Sequence, residues 1–581
     1  MLNLYTTLKS KVSNLNFLFN KIAGGMGSWS LLLLLFSQTA LACKKDPPTK
    51  DPVNNPSPIQ LVSIKWNDAN VYGIRKNAEV NPTVRIRFSN ALDTSIAKDN
   101  IKVKFNGVIS VDAKYWFENN DSTIAFQPNE PLKYYSKYVL SIPAAVKSYN
   151  GGDINAASNV LIRTTWDPSP KFDRISTEEL MNSIQKQTYS YFWDYAHPTS
   201  RLARERLGSG ETVTSGGTGF GIMAGISAVS RNFITRSEYL EHMLTMTDFL
   251  WNKADEFHGV FPHWLNGTTG KVIPFSPNDD GADLVETSFL VMGLLTAKEF
   301  FNTSDPKEIQ LRATIDSIWH RVDWNWFTKN GQEKNLYWHW SPNKGFIMNM
   351  PIRGWNECLI THVLAASSPT HPVETEVYHQ SWARNGSIKN GKSFYGIELP
   401  LGEDLGGPLF FSHYSFLGID PRDLTDDYAD YWIQNQNHSK INHAYCKANP
   451  KNQAGYHDSM WGLTASDNPW GYNAHSPTND LGVITPTAAL SAFPYTPEES
   501  MKAMEFFYYT MGDHLWKKYG FVDAFCVGEV WAANSFLAID QGPIVVMMEN
   551  YRTQLLWNLF TANSDVKNGM KRLNFKAPYL F

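Results

Sequence analysis

Cysteine is scarce in this chain of 581 residues, and the spacing of its four cysteines excludes several kinds of site. Cys43, Cys358, Cys446 and Cys526 form no Cys-x-x-Cys pair and show no cysteine–histidine spacing of the kind that binds zinc. The 15 histidines contain no His-Glu-x-x-His motif. The sequence therefore gives no indication of a zinc or redox centre.

Excess charge of either sign is also missing. The 52 basic and 56 acidic residues leave a formal net charge of −4, so the basic surface of a nucleic-acid-binding protein is absent. The glycine-rich stretch Thr214–Ile222 is not followed by the Gly-Lys-Ser/Thr of a phosphate-binding loop, and Asn278–Gly281 lacks the Asp-x-Asp-x-Asp-Gly spacing of calcium loops. We predict no nucleic-acid partner, no cofactor and no metal.

Long apolar runs are absent after the N-terminus. Three lysines precede the short apolar run Leu31–Phe36, and the segment ends in Ala40-Leu-Ala-Cys43, as in a secretory signal. Nothing later reaches the roughly 20 apolar residues of a membrane-spanning helix. Cys43 and the Lys-Lys-Asp-Pro-Pro after it resemble the lipobox and tether of a bacterial lipoprotein, although Ala40 stands where that motif usually has Leu.

We therefore expect a signal peptide over residues 1–42 and a lipid anchor at Cys43, followed by a Pro-rich lipoprotein-type linker over residues 43–58. The protein would be exported and held at a periplasmic or outer-membrane surface, and its only membrane contact would be this anchor. Cleavage after Ala42 by ordinary signal peptidase is the alternative, which would leave the protein free in the periplasm.

Two segments of different periodicity follow the linker. Residues 59–165 contain short alternating runs, such as Val84–Phe88 and Tyr138–Ile142, separated by turn signals. Such runs predict an all-β sandwich, and the segment resembles bacterial Ig-like modules. Residues 166–581 follow mostly the helical period, and their helices are joined by long loops, which favours an all-α toroid. The fold class is therefore multidomain.

Aromatic residues are abundant, with 20 Trp, 26 Tyr and 33 Phe making up 14% of the chain. A Trp-rich and weakly acidic domain fits carbohydrate chemistry, because sugar rings present C–H faces to aromatic rings and hydroxyls to acids. Packing in a large helical core is the alternative for any one of them. The best candidates for stacking on sugar are Trp338, His339, Trp340 and Trp461, with Trp324, Trp326 and Tyr337 near the first three.

Acidic residues crowd the start of the predicted helix 284–300. Asp279 and Asp280 precede Asp283 and Glu286, which are three residues apart and share one face of the first helical turn. Two carboxylates on one face can divide proton donation and proton acceptance, because each like charge raises the pKa of the other. An acid followed three residues later by Glu is also a capping box, so a structural role stays open.

Two further acids stand at comparable helix starts. Glu357 ends the motif Gly354-Trp-Asn-Glu357, and Asp540 precedes a helix that Pro543 is predicted to begin. If the inner helices of a toroid open into one cleft, these acids would meet the cluster around Asp283. A glycosidase needs such a set, with one carboxylic acid that protonates the leaving oxygen and one carboxylate that activates water or attacks the anomeric carbon.

Five motifs follow one another along the helical segment. They are Tyr191-Phe-Trp-Asp-Tyr-Ala-His-Pro198, Thr214-Ser-Gly-Gly-Thr-Gly-Phe-Gly-Ile222, Asp283-Leu-Val-Glu-Thr-Ser-Phe289, Gly354-Trp-Asn-Glu357 and Asp540-Gln-Gly-Pro543. In this order they resemble the glycoamylase-like domain and, within it, glycoside hydrolase family 144. The resemblance covers residues 166–581 and implies an (α/α)6 toroid that hydrolyses linear β-1,2-glucan to sophorose and short β-1,2-linked gluco-oligosaccharides without a metal.

The same resemblance implies the roles of the acids. By similarity to that family and to a related fungal family, Glu357 is the general acid and Asp540 the general base of an inverting mechanism, and in the fungal family the acid acts through a substrate hydroxyl. Asp279, Asp283 and Glu286 would hold sugar hydroxyls, and an exchange of catalytic roles with Glu286 stays open.

We expect a monomeric, endo-acting β-1,2-glucanase. An exo-acting enzyme that releases sophorose, or a hydrolase of another neutral glucan, is the first alternative. A polysaccharide lyase on the same toroid and a non-catalytic glycan-binding lipoprotein are the others.

Overall fold

The computed structural model describes residues 56–581, which form an N-terminal domain of strands and a larger helical domain. The predicted signal peptide and the anchor at Cys43 lie outside the described residues. Within residues 56–581, no helix combines the length and the apolar character needed to cross a membrane.

The N-terminal domain consists of two five-stranded sheets. The first sheet is antiparallel, and its strands in spatial order are Ala69–Asn70, Leu61–Trp66, Val84–Phe88, Thr123–Pro128 and Ala113–Glu118. The second contains Ile74–Ala78, Ser158–Thr164, Lys137–Ile142, Lys102–Phe105 and Ile109–Ser110, and only its first pair is parallel. A short helix, Thr94–Asn100, joins the sheets.

Alternation along the strands explains this sandwich. Val84, Ile86 and Phe88 are at most 1% exposed, whereas the arginines between them carry accessible surface. The buried residues of the facing strands, such as Ile124 and Leu140, belong to the same core, which is separate from the core of the helical domain. The prediction of an all-β sandwich from alternating runs is therefore confirmed.

Helices dominate from residue 177 onward, and we number them in chain order. They are α1 (Thr177–Asp194), α2 (Ser215–Ser230), α3 (Arg236–Asn252), α4 (Leu284–Phe300), α5 (Pro306–Arg321), α6 (Leu359–Ser367), α7 (Thr375–Val377), α8 (Tyr431–Ala448), α9 (Pro486–Leu490), α10 (Pro497–Glu505), α11 (Gly512–Leu515), α12 (Ala538–Thr553), α13 (Leu555–Ala562) and α14 (Ser564–Arg572). Single π-helical turns, Tyr378–Trp382 and Phe506–Thr510, extend α7 and α10.

Short strands and 3-10 turns occupy the connections of the helical domain. The strands pair as Thr212–Thr214 with Trp264–Asn266 and Val272–Ile273, Ala282–Asp283 with His339–Trp340, Lys389–Phe394 with Ile397–Leu401, Ala465–Asn468 with Gly471–Ala474, Trp516–Lys517 with Gly520–Phe521, and Phe525–Cys526 with Trp531–Ala532. The 3-10 turns are Asn325–Thr328, Arg384–Gly386, Leu409–Ser412, Ser415–Leu417, Val527–Glu529 and Pro578–Leu580.

Buried and half-exposed helices alternate along the chain. Helices α2, α4, α6 and α9 bury nearly every residue, whereas α1, α3, α5 and α8 keep polar faces in solvent. A helix that is apolar all round must be enclosed by other elements. Gly219 lets α2 approach α4, because a Cβ there would lie 2.1 Å from the carbonyl oxygen of Phe289. The functional loops therefore start from a tightly packed inner layer.

The glycine-rich stretch is helical from Ser215, because the glycines allow close packing on α4. The start of α12 differs from the sequence prediction. Helix α12 begins at Ala538, so Pro543 lies inside the helix rather than at its first position. The amide of Ala538 donates to the carbonyl of Glu205 instead, which fixes the earlier start. Asp540 consequently lies within the first turn of α12.

The N-terminal sandwich contacts the hairpin 525–532 and helix α11 of the helical domain. The Tyr135 hydroxyl donates to the carbonyl of Trp531 at 2.8 Å, and Lys76 Nζ lies 3.4 Å from Glu529 Oε1. The ring of Tyr135 also packs on His514 with centroids 4.4 Å apart. Because this hairpin precedes α12, the sandwich supports the segment that leads to Asp540.

Candidate active site

Asp283 organises the first part of the site from the N-terminus of α4. Its Oδ1 accepts the amides of Val285 and Glu286, both at 3.0 Å, so Asp283 is the cap of the helix. Its Oδ2 lies 3.0 Å from Nδ1 of His263. One oxygen of Asp283 therefore caps the helix while the other enters a charged network, and a division of proton transfer between Asp283 and Glu286 stays a prediction.

Glu286 does not complete the capping box. Its Oε2 accepts the amide of Gly216 at 2.9 Å and the hydroxyl of Thr214 at 3.3 Å, so its carboxylate binds the start of α2 instead. A helix N-terminus favours a negative charge at this place. Burial raises the pKa of Glu286; His263 opposes the shift and Asp283 adds to it.

His263 is the cation of this cluster. Burial opposes its charge, yet the field of Glu286, the hydrogen bond to Asp283 and the field of Asp283 together raise its pKa from 6.5 to about 9. For Asp283, the penalty of burial is outweighed by the hydrogen bond to His263 and the fields of His339 and His263, and the net effect lowers its pKa. We conclude that an imidazolium–carboxylate pair lies at the centre of the cluster near neutral pH.

Asp279 and His339 extend the cluster. Asp283 pairs with His339 across two short strands, and Nε2 of His339 lies 3.4 Å from Asp279 Oδ2. Burial and the charge of Asp283 raise the pKa of Asp279 to about 7, while burial lowers that of His339 to about 4. A protonated Asp279 and a neutral His339 can each donate and accept hydrogen bonds, as recognition of sugar hydroxyls requires.

One group of side chains could gather a cation. His263, Asp279 and Asp283 offer one ligand atom each within 4.8 Å of one another. However, a metal would have to displace the proton of His263, whose charge already balances the carboxylates. The expectation of a metal-free site stays a prediction.

Glu357 lies in the turn before α6, which begins at Leu359. Its backbone carbonyl accepts the Ser415 hydroxyl, which holds this turn against the 3-10 segment Ser415–Leu417. The side chain is only 8% exposed. Burial, with smaller contributions from Glu286 and Asp283, raises its pKa to about 7. This carboxyl can therefore carry a proton near neutral pH, as a general acid must.

Asp540 is 2% exposed and contacts Tyr414. The Tyr414 hydroxyl donates to Asp540 Oδ1 at 3.4 Å, and the Thr487 hydroxyl binds the carbonyl of Asp540 at 2.7 Å. Burial raises the pKa of Asp540 to about 7, while a hydrogen bond from Asp523 opposes the shift. The charges of Asp540, Glu357 and Glu286 all add to the effect of burial on the pKa of Tyr414. The three helix starts therefore converge around one tyrosine.

Sequence reasoning missed four residues of this site. His263, Tyr414 and Asp523 lie in loops or short turns without a helical pattern to mark them, and Arg206 pairs at 3.1 Å with Asp467 of the strand Ala465–Asn468. The motif Phe261-Pro-His263 and the acid before Ala524 carry no spacing that points to the cluster. Only the tertiary fold brings them together.

Of the tryptophans proposed to stack on sugar, Trp340 is partly exposed, whereas Trp338 and Trp461 are buried. Trp340 is half-buried and packs against Trp326, with centroids 5.9 Å apart, so part of its surface can meet a ligand. Trp338 is 5% exposed and stacks on His339. Trp461 is completely buried, and its indole N–H donates to the carbonyl of Glu499 at 3.2 Å. We therefore correct its assignment from sugar stacking to core packing.

Comparisons with known proteins match both domains. The Glycoamylase family model, which describes glucoamylase-type proteins, matches residues 349–564. The bacterial Ig-like domain matches residues 69–166.

A curated relative from Parabacteroides distasonis is described as an exo β-1,2-glucooligosaccharide sophorohydrolase (non-reducing end). It is 43% identical over 420 residues, which are 69% of this chain and 58% of that relative. The chain thus spans less than two thirds of the length of this relative.

Two solved structures resemble the chain closely. An endo-β-1,2-glucanase from Chitinophaga pinensis, in complex with sophorotriose and glucose, is 50% identical, with a TM-score of 0.68 over 70% of this chain and 100% of that one. A β-1,2-glucanase from Parabacteroides distasonis is 35% identical, with a TM-score of 0.67 over 89% of this chain and 74% of that one.

Proposed function

The chain belongs to the glycoamylase-like family, and from this premise we propose that it hydrolyses linear β-1,2-glucan to sophorose and short β-1,2-linked gluco-oligosaccharides. The observation that carries the proposal is the pair of buried carboxyl groups, Glu357 and Asp540, whose pKa values burial raises to about 7 and whose charges both act on Tyr414. Near neutral pH such a pair can supply one protonated and one ionised carboxyl group.

In the proposed mechanism Glu357 is the general acid and Asp540 the general base. Asp540 removes a proton from water as the water oxygen attacks the anomeric carbon, and the proton of Glu357 reaches the leaving glycosidic oxygen, directly or through a substrate hydroxyl. The configuration at the anomeric carbon is then inverted. Tyr414 holds one oxygen of Asp540 in place during this step.

The cluster around Asp283 would bind the sugar beside the scissile bond. His263 and Asp283 offer fixed charges, while Asp279 and His339 offer groups that donate and accept hydrogen bonds. Glu286, whose carboxylate is held by Gly216, would orient the sugar and add to the negative field at Glu357. A catalytic role for Glu286 is the alternative for this residue.

Endo action is our main proposal, and exo release of sophorose is the second. The Chitinophaga pinensis relative is described as an endo-β-1,2-glucanase, whereas the curated Parabacteroides distasonis relative is described as an exo-acting sophorohydrolase. An endo enzyme gives a ladder of oligosaccharides early in the reaction, and an exo enzyme gives sophorose alone.

The architecture and location are proposals of the same kind. The alternation of buried and half-exposed helices supports an (α/α)6 toroid with the site at the N-terminal ends of its inner helices. We also propose domain limits at residues 59–165 and 166–581, export with lipidation at Cys43, and a monomeric state.

The experiment is incubation of the purified protein with linear β-1,2-glucan, with products separated by chain length over time. Glu357→Gln and Asp540→Asn are run beside the wild type, and β-1,3- and β-1,4-glucans serve as control substrates. We expect cleavage of the β-1,2-linked glucan alone and a loss of at least about 100-fold in either variant. Binding without any product would support the glycan-binding lipoprotein and contradict the enzyme.

A further inference from the structure

A second carboxyl group, that of Asp523, lies against the proposed base. Asp523 is 4% exposed and Asp540 is 2% exposed, and their side chains are in hydrogen-bonding contact. Two ionised carboxylates can only accept hydrogen bonds. The contact therefore requires a proton on one of the two groups.

The surrounding hydrogen bonds indicate where this proton lies. Asp523 Oδ2 accepts the backbone amide of Asp467 at 2.7 Å, and Asp540 Oδ1 accepts the Tyr414 hydroxyl. The other two oxygens, Asp523 Oδ1 and Asp540 Oδ2, are buried and have no donor among residues 56–581. A buried acceptor without a donor is costly, and one proton between these oxygens satisfies both.

We propose that Asp523 keeps this proton throughout the reaction and donates it as a hydrogen bond to Asp540, so that Asp523 positions the base without itself reacting. The inference rests on the proposed role of Asp540. After the product leaves, the proton that Asp540 took from water returns to solvent and Glu357 regains from solvent the proton that it gave to the leaving oxygen, while the proton of Asp523 stays in place, so the cycle balances.

The charges that face the pair favour this distribution. Burial, the charge of Asp540 and that of Asp467 raise the pKa of Asp523 well above its ordinary value. Arg206 binds Asp467 at 3.1 Å. The charge of Asp467 raises the pKa of Asp540 as well, but the hydrogen bonds from Asp523 and Tyr414 and the charge of Arg206 lower it and partly offset the effect of burial. Asp540 is therefore the member of the pair that loses its proton first.

Two substitutions separate positioning from catalysis. In Asp523→Asn the amide oxygen would accept the Asp467 amide, which turns the NH2 group toward Asp540 and preserves the donor. Asp523→Ala removes the donor. We expect the kcat of Asp523→Asn to stay within about threefold of the wild type. The kcat of Asp523→Ala should fall about tenfold at pH 6, and the acidic limb of its plot of kcat against pH should move to higher pH, because the pKa of Asp540 rises when the donor is lost.

The matched control is Asp480→Asn, which changes another buried aspartate. Asp480 accepts hydrogen bonds from the hydroxyls of Tyr445 and Tyr456 rather than from Asp523 or Asp540. The acidic limb of the plot of kcat against pH should therefore be the same in this variant as in the wild type. If Asp523→Asn loses as much activity as Asp540→Asn, Asp523 itself exchanges protons and the inference is wrong. An acidic limb that does not move in Asp523→Ala would reduce Asp523 to packing and would equally overturn it.

Infrared spectroscopy detects the proton on Asp523 directly. It does not depend on enzymatic activity, and it does not require that Asp523→Ala folds. At pH 7 the wild type minus Asp523→Asn difference spectrum should contain the C=O band of one protonated carboxylic acid. A carboxylate band in its place would contradict a proton on Asp523. This result stands even if the protein cleaves a different glycan, so failure of the inference and failure of the proposed function can be told apart.

Discussion

Substitution of Gly216 by alanine tests how closely the carboxylate of Glu286 is placed. The added Cβ would lie 2.4 Å from Glu286 Oε2, whereas ordinary contact starts near 3.4 Å, so the carboxylate must move by about 1 Å. A displacement of that size in a catalytic site costs about 100-fold in rate, or about 2.7 kcal/mol of transition-state stabilisation.

The assay measures new reducing ends from linear β-1,2-glucan, together with thermal unfolding. Gly221→Ala in the same helix is the matched control, because its Cβ would meet the ring of Phe192 at 2.5 Å rather than a carboxylate. Both variants gain about 1 kcal/mol of helix propensity. We expect Gly216→Ala to lose about 100-fold in kcat/KM and Gly221→Ala to lose mainly stability. A Gly216→Ala enzyme within threefold of wild type would refute the placement argument.

The remaining predictions concern pH, metal and aromatic contacts. The charged form of His263 stabilises the folded protein fully below its unfolded pKa of 6.5, and this stabilisation is lost as the pH rises through about 9. In His263→Gln the free energy of unfolding, measured with denaturant, should therefore change less between these pH values than in the wild type. An equal change in both proteins would count against a charged His263. Chelator should leave the rate unchanged, and a loss restored by a divalent cation would reveal a metal at His263, Asp279 and Asp283. Trp340→Ala should raise KM several-fold, because Trp340 is partly exposed and can contact sugar. Trp461→Phe should lower the melting temperature and leave KM unchanged, because Trp461 is fully buried. The reverse pattern would restore Trp461 as a sugar contact.

Periodicity predicted the sandwich and the helix that carries the acidic cluster. The alternation at Val84–Phe88 and the helical run at Leu284–Phe300 both appear where the sequence placed them, because one buried face per strand and an apolar helix leave few other arrangements. The start of α12 was less predictable. Pro543 suggested a first helical position, but a tertiary hydrogen bond from Ala538 to Glu205 decided the boundary.

The acids of the site carried a local signal, whereas their partners did not. Asp283, Glu357 and Asp540 stand beside apolar runs that mark helix starts, so the sequence could identify them. His263 and Asp523 gain their importance only from contacts with residues far along the chain or across a loop. No spacing rule describes such contacts, and a structure was needed to find them.

The most direct test of the account is the stereochemistry of the first products. Linear β-1,2-glucan is hydrolysed in an NMR tube, and the anomeric signals of the new reducing ends are followed before mutarotation, with Glu357→Gln and Asp540→Asn as controls. The account predicts α-configured ends first from the wild type and essentially no signal from either variant. Ends that are β-configured first would contradict inversion by Asp540, and normal activity of either variant would contradict the assignment of its residue.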